Sequence, residues 1–590
     1  MNTMSDATLE TYKAAKTPLP KTMLRWHLYG AGLENMGRDE KPEEVSVPSY
    51  GPDELLVRQD ACGLCFSDTK VIGLGPNHPR MTGRDLAKDP VTLGHEVSCT
   101  VVGVGEQLVG RFEIGQRFVV QADVFYQGKS MAYGYAISGG LAEYSVIPKQ
   151  IIDGDEGCYL LPLRTDTGYV ESALTEPWAC VVSAYAQSHR NGLLDGGDLL
   201  VIAADDAAET AYDWTQLFLD AQPFNLTIVN VKGTLREDLL AAIGATEDIT
   251  DIADLSDPDD LEDWADLVCN ASGQFYNDIL LLGDVAPEII EQAATLLANH
   301  GIMNFVRATP LPRKLTLDIG RIHYNWHYYL GTTTTDPAKA YPETRNADLQ
   351  AGGKTWIIGA GGPMGQMHVQ RAIQHRNPPR LLVATDVDVV RLQSVKDRFG
   401  KTAEERGIQL VTLNPKELGD EAFNAELTRL SEGTGFTDIL SMVPVAALIE
   451  HAADYLADGA WFNIFAGVAR GTMANLDVNA IIERRVRYLG SSGSSLSDMR
   501  ETLARVESDE LSTNASLAAI GGMEAAKVGL QAVKEGWFPG KTLIFPLIHD
   551  LPLTPLAELQ EKLPTVYAKL KDGQFWTQEA EEELLRLKLG

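Results

Sequence analysis

Lys354-Thr-Trp-Ile-Ile-Gly-Ala-Gly-Gly-Pro-Met-Gly365 runs from a short apolar strand into a glycine-rich turn and on into a helix start. Glycine lets the backbone turn tightly and approach a pyrophosphate, and a helix N-terminus offers free N–H donors to it. The spacing is imperfect: it reads GxGxxxG from Gly359, or AxGxxG from Ala360 through Gly362 to Gly365. The next apolar run adds what the glycines alone lack. Leu381-Leu-Val-Ala-Thr-Asp386 ends in an acid 21 residues beyond Gly365. A carboxylate there takes the ribose hydroxyls of NAD and repels the extra phosphate of NADP. The pattern predicts a dinucleotide site at Gly359, Gly361, Gly362, Pro363, Met364, Gly365 and Asp386, with NAD preferred over NADP. The plain alternative is an α/β domain whose glycines merely turn the chain.

The same unit occurs twice. Leu317-Asp318-Ile319 matches Leu476-Asp477-Val478, Tyr329-Leu330-Gly331 matches Tyr488-Leu489-Gly490, and Ile290-Glu291 matches Ile449-Glu450, each pair 159 residues apart. Upstream the offset is 156, so Leu200-Val201-Ile202-Ala203 faces Trp356-Ile357-Ile358-Gly359. A period this long means a duplicated domain, not a solenoid. In the first copy Asp205 and Asp206 fall on Gly361 and Gly362, Glu209 on Gly365, and Asn230 on Asp386. Carboxylates in the turn would repel a pyrophosphate, and the ribose acid is missing. The first copy is expected to keep the fold without the ligand.

Upstream of both copies lie CGLCFSD (Cys62–Asp68), GHE (Gly94–Glu96) and TEPWA (Thr175–Ala179). Cys65, His95 and Glu176 offer a thiolate, an imidazole and a carboxylate, a three-ligand zinc set with one open position, as a catalytic zinc needs. A structural cysteine and a buried histidine are the plain alternative. Residues 45–150 show short apolar runs punctuated by glycine, which predicts a β-rich domain. From about Asp195 strands alternate with helical patterns, the mark of a parallel sheet.

The 590 residues carry 50 Lys and Arg against 82 Asp and Glu, a formal charge of -32. Such a surface disfavours nucleic acid and anionic membranes as partners. No secretory segment, no disulfide framework and no membrane span is legible, so a cytoplasmic location is expected. Apart from Cys65, the cysteines (Cys62, Cys99, Cys158, Cys180 and Cys269) read as packed small hydrophobes, and His78 as a loop histidine. The aromatic run Arg321–Tyr329 reads as packing or interface. Thr577 is the expected N-cap of a last, structural helix.

These motifs in this order resemble the zinc-dependent medium-chain dehydrogenases. GGLAEYSVIP (Gly139–Pro148) resembles that family's strand before the domain crossover. The resemblance implies an α/β chain with a GroES-like zinc-binding catalytic domain at 1–194, a degenerate Rossmann-type domain at 195–345, an NAD-binding Rossmann domain at 346–500, and a return to the catalytic domain at 501–590. It implies Cys65 and His95 as zinc ligands, Glu96 as an acid able to exchange onto the metal, Ser67 as the start of a proton relay, and Asp68 as support for the zinc shell. Glu176 stands where the polyol branch has a glutamate and classical alcohol dehydrogenases a cysteine. No cysteine lies between Gln116 and Gly139, where a structural zinc would be held, so one zinc is expected, not two.

The function expected is hydride transfer between NAD(H) and a secondary alcohol or ketone of a polyol, sugar or sugar phosphate. Stretches such as Gly361–His368 resemble the sorbose-phosphate reductase side of the branch, and Arg80, Arg84 and Lys88 are candidates to meet a phosphate. An epimerase or lyase using transient oxidation at the same zinc, and a scaffold or sensor role, are the alternatives. A homodimer or homotetramer is expected.

Overall fold

The computed structural model describes residues 4–81, 83–243, 248–252, 268 and 275–589. Cys269 lies outside them. The chain divides into two compact units, one of residues 1–183, 361–374 and 493–590, the other of residues 184–360 and 375–492.

The first unit is built on an eight-stranded sheet. Its order is Thr554–Pro555, Leu517–Gly522, Lys541–Phe545, Leu55–Leu64, Glu96–Val104, Arg117–Val120 and Leu160–Pro162, with Tyr144–Ile147 also paired to Leu55–Leu64. Leu55–Leu64 is buried along its whole length, which explains why LLVRQDACGL shows no in–out alternation. Even Arg58 and Asp60 lie inside, paired to each other, as buried charges must be. Lys541–Phe545 runs antiparallel to it, with Thr542 opposite Leu64 and Ile544 opposite Cys62. The C-terminal segment therefore completes the sheet that the N-terminal segment begins. The last helix, Gln578–Lys588, is capped by Thr577, whose hydroxyl accepts the Ala580 N–H at 3.1 Å.

The second unit holds two six-stranded parallel sheets of identical order. One runs Asp248–Ile252, Asn225–Val229, Asp198–Ala203, Tyr276–Leu282, Leu297–Val306, Tyr328–Thr332. The other runs Gln409–Leu413, Leu381–Thr385, Lys354–Ile358, Phe436–Ser441, Leu456–Ile464, Arg487–Leu489. This is the doubly wound Rossmann order, so the second unit is α/β with duplicated Rossmann-type sheets.

The two copies are joined about a local twofold axis. Leu315–Asp318 pairs antiparallel with Met473–Leu476, and Thr316 sits opposite Asn475, its own counterpart. Thr316 Oγ1 donates to Asn475 Oδ1 at 3.0 Å. The flanking bonds obey the same symmetry: Thr316 N–H donates to Glu291 at 2.7 Å and Asn475 N–H to Glu450 at 2.8 Å. One apolar core runs through both, including Ile202, Phe305 and Tyr329 from the first copy and Ile358, Phe462 and Tyr488 from the second.

His327, from the aromatic run, is 1% exposed. Burial holds its pKa down at about 3. The folded ring is thus neutral where the unfolded one, with a pKa near 6.5, takes up a proton. The stability due to this group is complete above about pH 6.5 and is lost as pH falls. Between pH 8 and pH 5 the loss is about 2 kcal/mol. Urea unfolding at these two pH values should show it, and His327→Gln should flatten the difference by that amount. Equal pH dependence in both proteins would contradict the assignment.

Candidate functional site

Leu55–Leu64 ends where the helix Phe66–Leu74 begins, and Cys65 sits at the junction as N-cap. Asp68, one turn on and fully buried, divides its carboxylate. Oδ2 accepts the Cys65 N–H at 2.9 Å, and Oδ1 pairs with His95 Nδ1 at 3.1 Å. Holding the proton on Nδ1 leaves the Nε2 lone pair for a metal. Burial alone would lower the His95 pKa, but Tyr135, Asp68 and Cys65 push it well above its ordinary value.

His95 is delivered by Gly94, whose φ of +96° suits glycine. A Cβ there would come within 2.5 Å of Cys62 Sγ. The loop before Gly140 closes over the same turn, since Gly139 lies so near Gly94 O that a Cβ would reach it at 2.1 Å.

Glu96 follows on the strand Glu96–Val104 with no exposed surface. Its Oε1 accepts from the Lys541 ammonium. Its Oε2 is buried without a hydrogen-bond partner. Gly63 makes the room: a Cβ on it would come within 2.2 Å of that oxygen. The ligand atoms of Cys65, His95 and Glu96 all lie within 4.8 Å of one another, the one such group among the described residues. A soft sulfur, an imidazole nitrogen and an orphaned carboxylate oxygen fit a zinc ion.

Glu176 lies outside that trio, on the buried face of the helix Thr175–Ser183. Its pKa is raised to about 7, chiefly by burial, with Glu96 and Asp123 adding to the rise while His95 and Lys541 oppose it. Ser67 is half-buried in the first turn of the helix Phe66–Leu74. Three neighbours carry no motif in the sequence. Lys541 is held charged by Glu96, with help from Cys65 and Glu176, against its burial. Tyr135 sets its ring 5.5 Å from that of His95, and the Arg80 guanidinium lies over Tyr135, 5.5 Å from its ring centroid, while paired to Asp123. Nothing local marks Lys541 in the sequence; only the pairing of distant strands brings it here.

The glycine turn follows the strand Lys354–Ile358. Gly359 turns the chain with φ +76°, and a Cβ there would meet Val443 at 2.7 Å. The helix Pro363–Gln374 starts at once, with Gly365 buried in its first turn. This helix belongs to the first unit, where it packs against Thr175–Ser183 and Gln370 donates to Ser512 O at 2.8 Å. Asp386 directly follows the next strand, Leu381–Thr385, and its Oδ1 accepts the Asp388 N–H at 3.0 Å.

The first copy differs at every one of these points. After Asp198–Ala203 comes a single 3-10 turn, Asp205–Ala207, and no α-helix before the strand Asn225–Val229. Asp206 Oδ1 accepts the Asp284 N–H at 2.9 Å, and Asp205 accepts from Asn230 Nδ2 at 3.1 Å. The turn's acids are thus bound to its own chain.

Residues 51–153 match the alcohol dehydrogenase GroES-like domain family. With the duplicated sheets, this defines an enzyme of the alcohol dehydrogenase class. The uncharacterized protein YggP of Escherichia coli is 30% identical over 333 residues, 53% of this chain and 76% of the relative. The L-sorbose 1-phosphate reductase of Klebsiella pneumoniae is 23% identical over 555 residues, 93% of this chain and 95% of the relative. The mannitol-1-phosphate 5-dehydrogenase of Aliivibrio fischeri is 29% identical over 311 residues, 50% of this chain and 72% of the relative. The chain belongs to the medium-chain dehydrogenase/reductase superfamily, in its polyol branch.

Cys65→Ser and His95→Ala proteins should retain their far-UV circular dichroism and lose bound zinc by elemental analysis. Glu96→Gln and Glu176→Gln, compared in the same assay, should show which carboxylate completes the set. Full zinc content in all four variants would remove the metal from this site.

Proposed function

We propose that the protein transfers a hydride between NAD(H) and a secondary alcohol or ketone of a polyol or sugar phosphate, at one zinc held by Cys65, His95 and a carboxylate from Glu176 or Glu96. The grouping of Cys65, His95 and Glu96 ligand atoms within 4.8 Å of one another, with Glu96 Oε2 buried and without a hydrogen-bond partner, is the observation that carries this reading. Bound zinc would lower the pKa of a substrate hydroxyl by several units, and NAD would accept the hydride. Asp68 fixes the His95 tautomer and ring orientation. Lys541 restrains Glu96. Ser67 would take the hydroxyl proton and pass it toward solvent. Asp386 would hold the adenosine ribose of NAD and disfavour NADP by charge repulsion.

A phosphorylated substrate is supported by the names of two relatives, a sorbose-phosphate reductase and a mannitol-phosphate dehydrogenase. Of the three cations before GHE, Arg84 is tied to Asp89 and to the Ala136 and Pro90 carbonyls. Lys88 pairs with Asp85 in solvent. Arg80 is also paired, to Asp123, but it alone of the three lies over Tyr135 beside His95, and it is the group placed to share its guanidinium with a phosphate.

A panel of polyols, sugars and sugar phosphates, followed at 340 nm with NAD and with NADP, tests the reading. A phosphorylated sugar or polyol with NAD should give the highest kcat/KM. Arg80→Gln should cut the preference for phosphorylated over plain substrate about 10- to 100-fold, the effect of losing one charged hydrogen bond. An unchanged ratio would take Arg80 out of the site. Asp386→Ala should weaken NAD binding and Asn230→Ala should not; the reverse result would assign the cofactor to the wrong copy.

A further inference from the structure

The local twofold axis through Thr316 and Asn475 creates two matching corners, and the residues there differ. At one corner Ile482 of the second copy packs over Gly331: a Cβ on Gly331 would come within 2.8 Å of Ile482 and 2.7 Å of Phe305 O. At the other, His323 of the first copy packs over Gly490, where a Cβ would come within 2.7 Å of Ile464 O and 3.1 Å of His323. His323 and Ile482, Gly331 and Gly490, and Phe305 and Ile464 are counterparts at the 159-residue offset. The apolar residue faces the copy that lost its ligand turn. The histidine faces the copy that kept it.

The two sheet edges differ in step with this. In the first copy Tyr328–Thr332 pairs with Leu297–Val306 through Phe305↔Gly331 and Val306↔Thr332. In the second copy the equivalent ladder stops two pairs earlier, at Asn463↔Leu489. The Ile464 carbonyl is then left without a strand partner on that edge, and His323 takes it: Nδ1 lies 2.9 Å from Ile464 O. Nε2 lies 3.2 Å from Ser492 Oγ. A carbonyl only accepts, so Nδ1 carries a proton, and Nε2 shares a hydrogen bond with the Ser492 hydroxyl. The ring is 3% exposed. It thus pins the carboxyl ends of two separated strands.

Those ends lie on a particular side of the sheet. A dinucleotide lies across the point where strand order reverses, outside the carboxyl ends of the strands, here between Lys354–Ile358 and Phe436–Ser441. Asp386 stands on the adenosine side. The other half of the ligand falls beside Phe436–Ser441, Leu456–Ile464 and Arg487–Leu489.

Resting on the reading that the second copy holds NAD, we propose that His323, supplied by the degenerate copy, is a positioning residue that holds the opened strand ends at Ile464 and Ser492 for the nicotinamide half of the cofactor. The first copy is then kept for what it presents to its twin.

The test uses the full chain and two ligands: NADH, and ADP-ribose, which lacks the nicotinamide. His323→Ile reproduces the opposite corner. It should raise the Kd for NADH at least 10-fold and leave that for ADP-ribose within 2-fold. His323→Asn, which keeps an amide donor for Ile464 O, should fall between it and the wild type. Ser492→Ala leaves the ring in place and should give the same split in smaller degree, which covers the case of an insoluble His323→Ile protein. Equal weakening of both ligands, or no change in either while the wild type binds NADH, would overturn the positioning role. Failure of the wild type to bind either ligand, or Asp386→Ala leaving both unchanged, would overturn the underlying nucleotide site and the proposal with it.

Discussion

A carboxylate with no exposed surface needs a counter-charge, because burying it alone costs several kcal/mol. Glu96 is such a carboxylate, and its counter-charge is Lys541. This one pair constrains the catalytic unit. It requires the strand Lys541–Phe545 to lie beside Leu55–Leu64, and it fixes the Glu96 carboxylate where a ligand atom lies within 4.8 Å of those of Cys65 and His95. The pair also occupies only one oxygen. The other has no hydrogen-bond partner, which sets the cluster apart from a merely neutralised core charge.

The second unit shows how duplication divides labour. Both copies keep the same strand order and share a core, so neither could drop its apolar pattern without unsettling the other. The turn after the first strand was under no such constraint in the first copy. There the helix is gone and Asp205 and Asp206 bind to the chain itself. The edge strands of both sheets, which an oligomer built on sheet edges would use, lie against the partner copy's helices: Val478–Glu483 packs on Tyr328–Thr332, and Ile319–Tyr324 on Arg487–Leu489.

Much of this was legible in the residues, for definable reasons. The repeat was visible because parallel strands buried on both faces keep their apolar runs, and the offset of 159 survives in the pairing of Thr316 with Asn475. Cys65 and His95 could be singled out because their motifs set particular atoms at particular turns, one at a helix start and one after Gly94, and the fold does bring them together. Lys541 and Tyr135 were not, since a lysine on a strand and a tyrosine in a loop acquire their roles only from what the fold sets beside them. Glu176 illustrates a different limit. Its type and motif suggested a ligand, yet Glu96 stands nearer to the thiolate and imidazole, and only the backbone path decides such a distance. The aromatic run at Arg321–Tyr329 read as packing or interface; the copies do meet there, and His323 bonds the second copy's strand ends.

The pairing of Leu55–Leu64 with Lys541–Phe545 also sets a schedule for biosynthesis. Ribosomes extend chains at about 5–20 residues per second, so Cys62–Leu64 waits roughly half a minute to a minute and a half for the neighbour that pairs with it. Tyr144–Ile147 covers Leu55–Arg58 early, so in that interval it is the end at Cys62–Leu64 that lies unpaired on one side, the condition under which strands recruit wrong partners. The two copies between them can fold on their own core as they emerge, so the nascent chain passes through a state with a finished centre and unfinished ends. Recovery of this enzyme after denaturation should therefore depend less on its duplicated core than on how well its termini are kept from other chains until they meet.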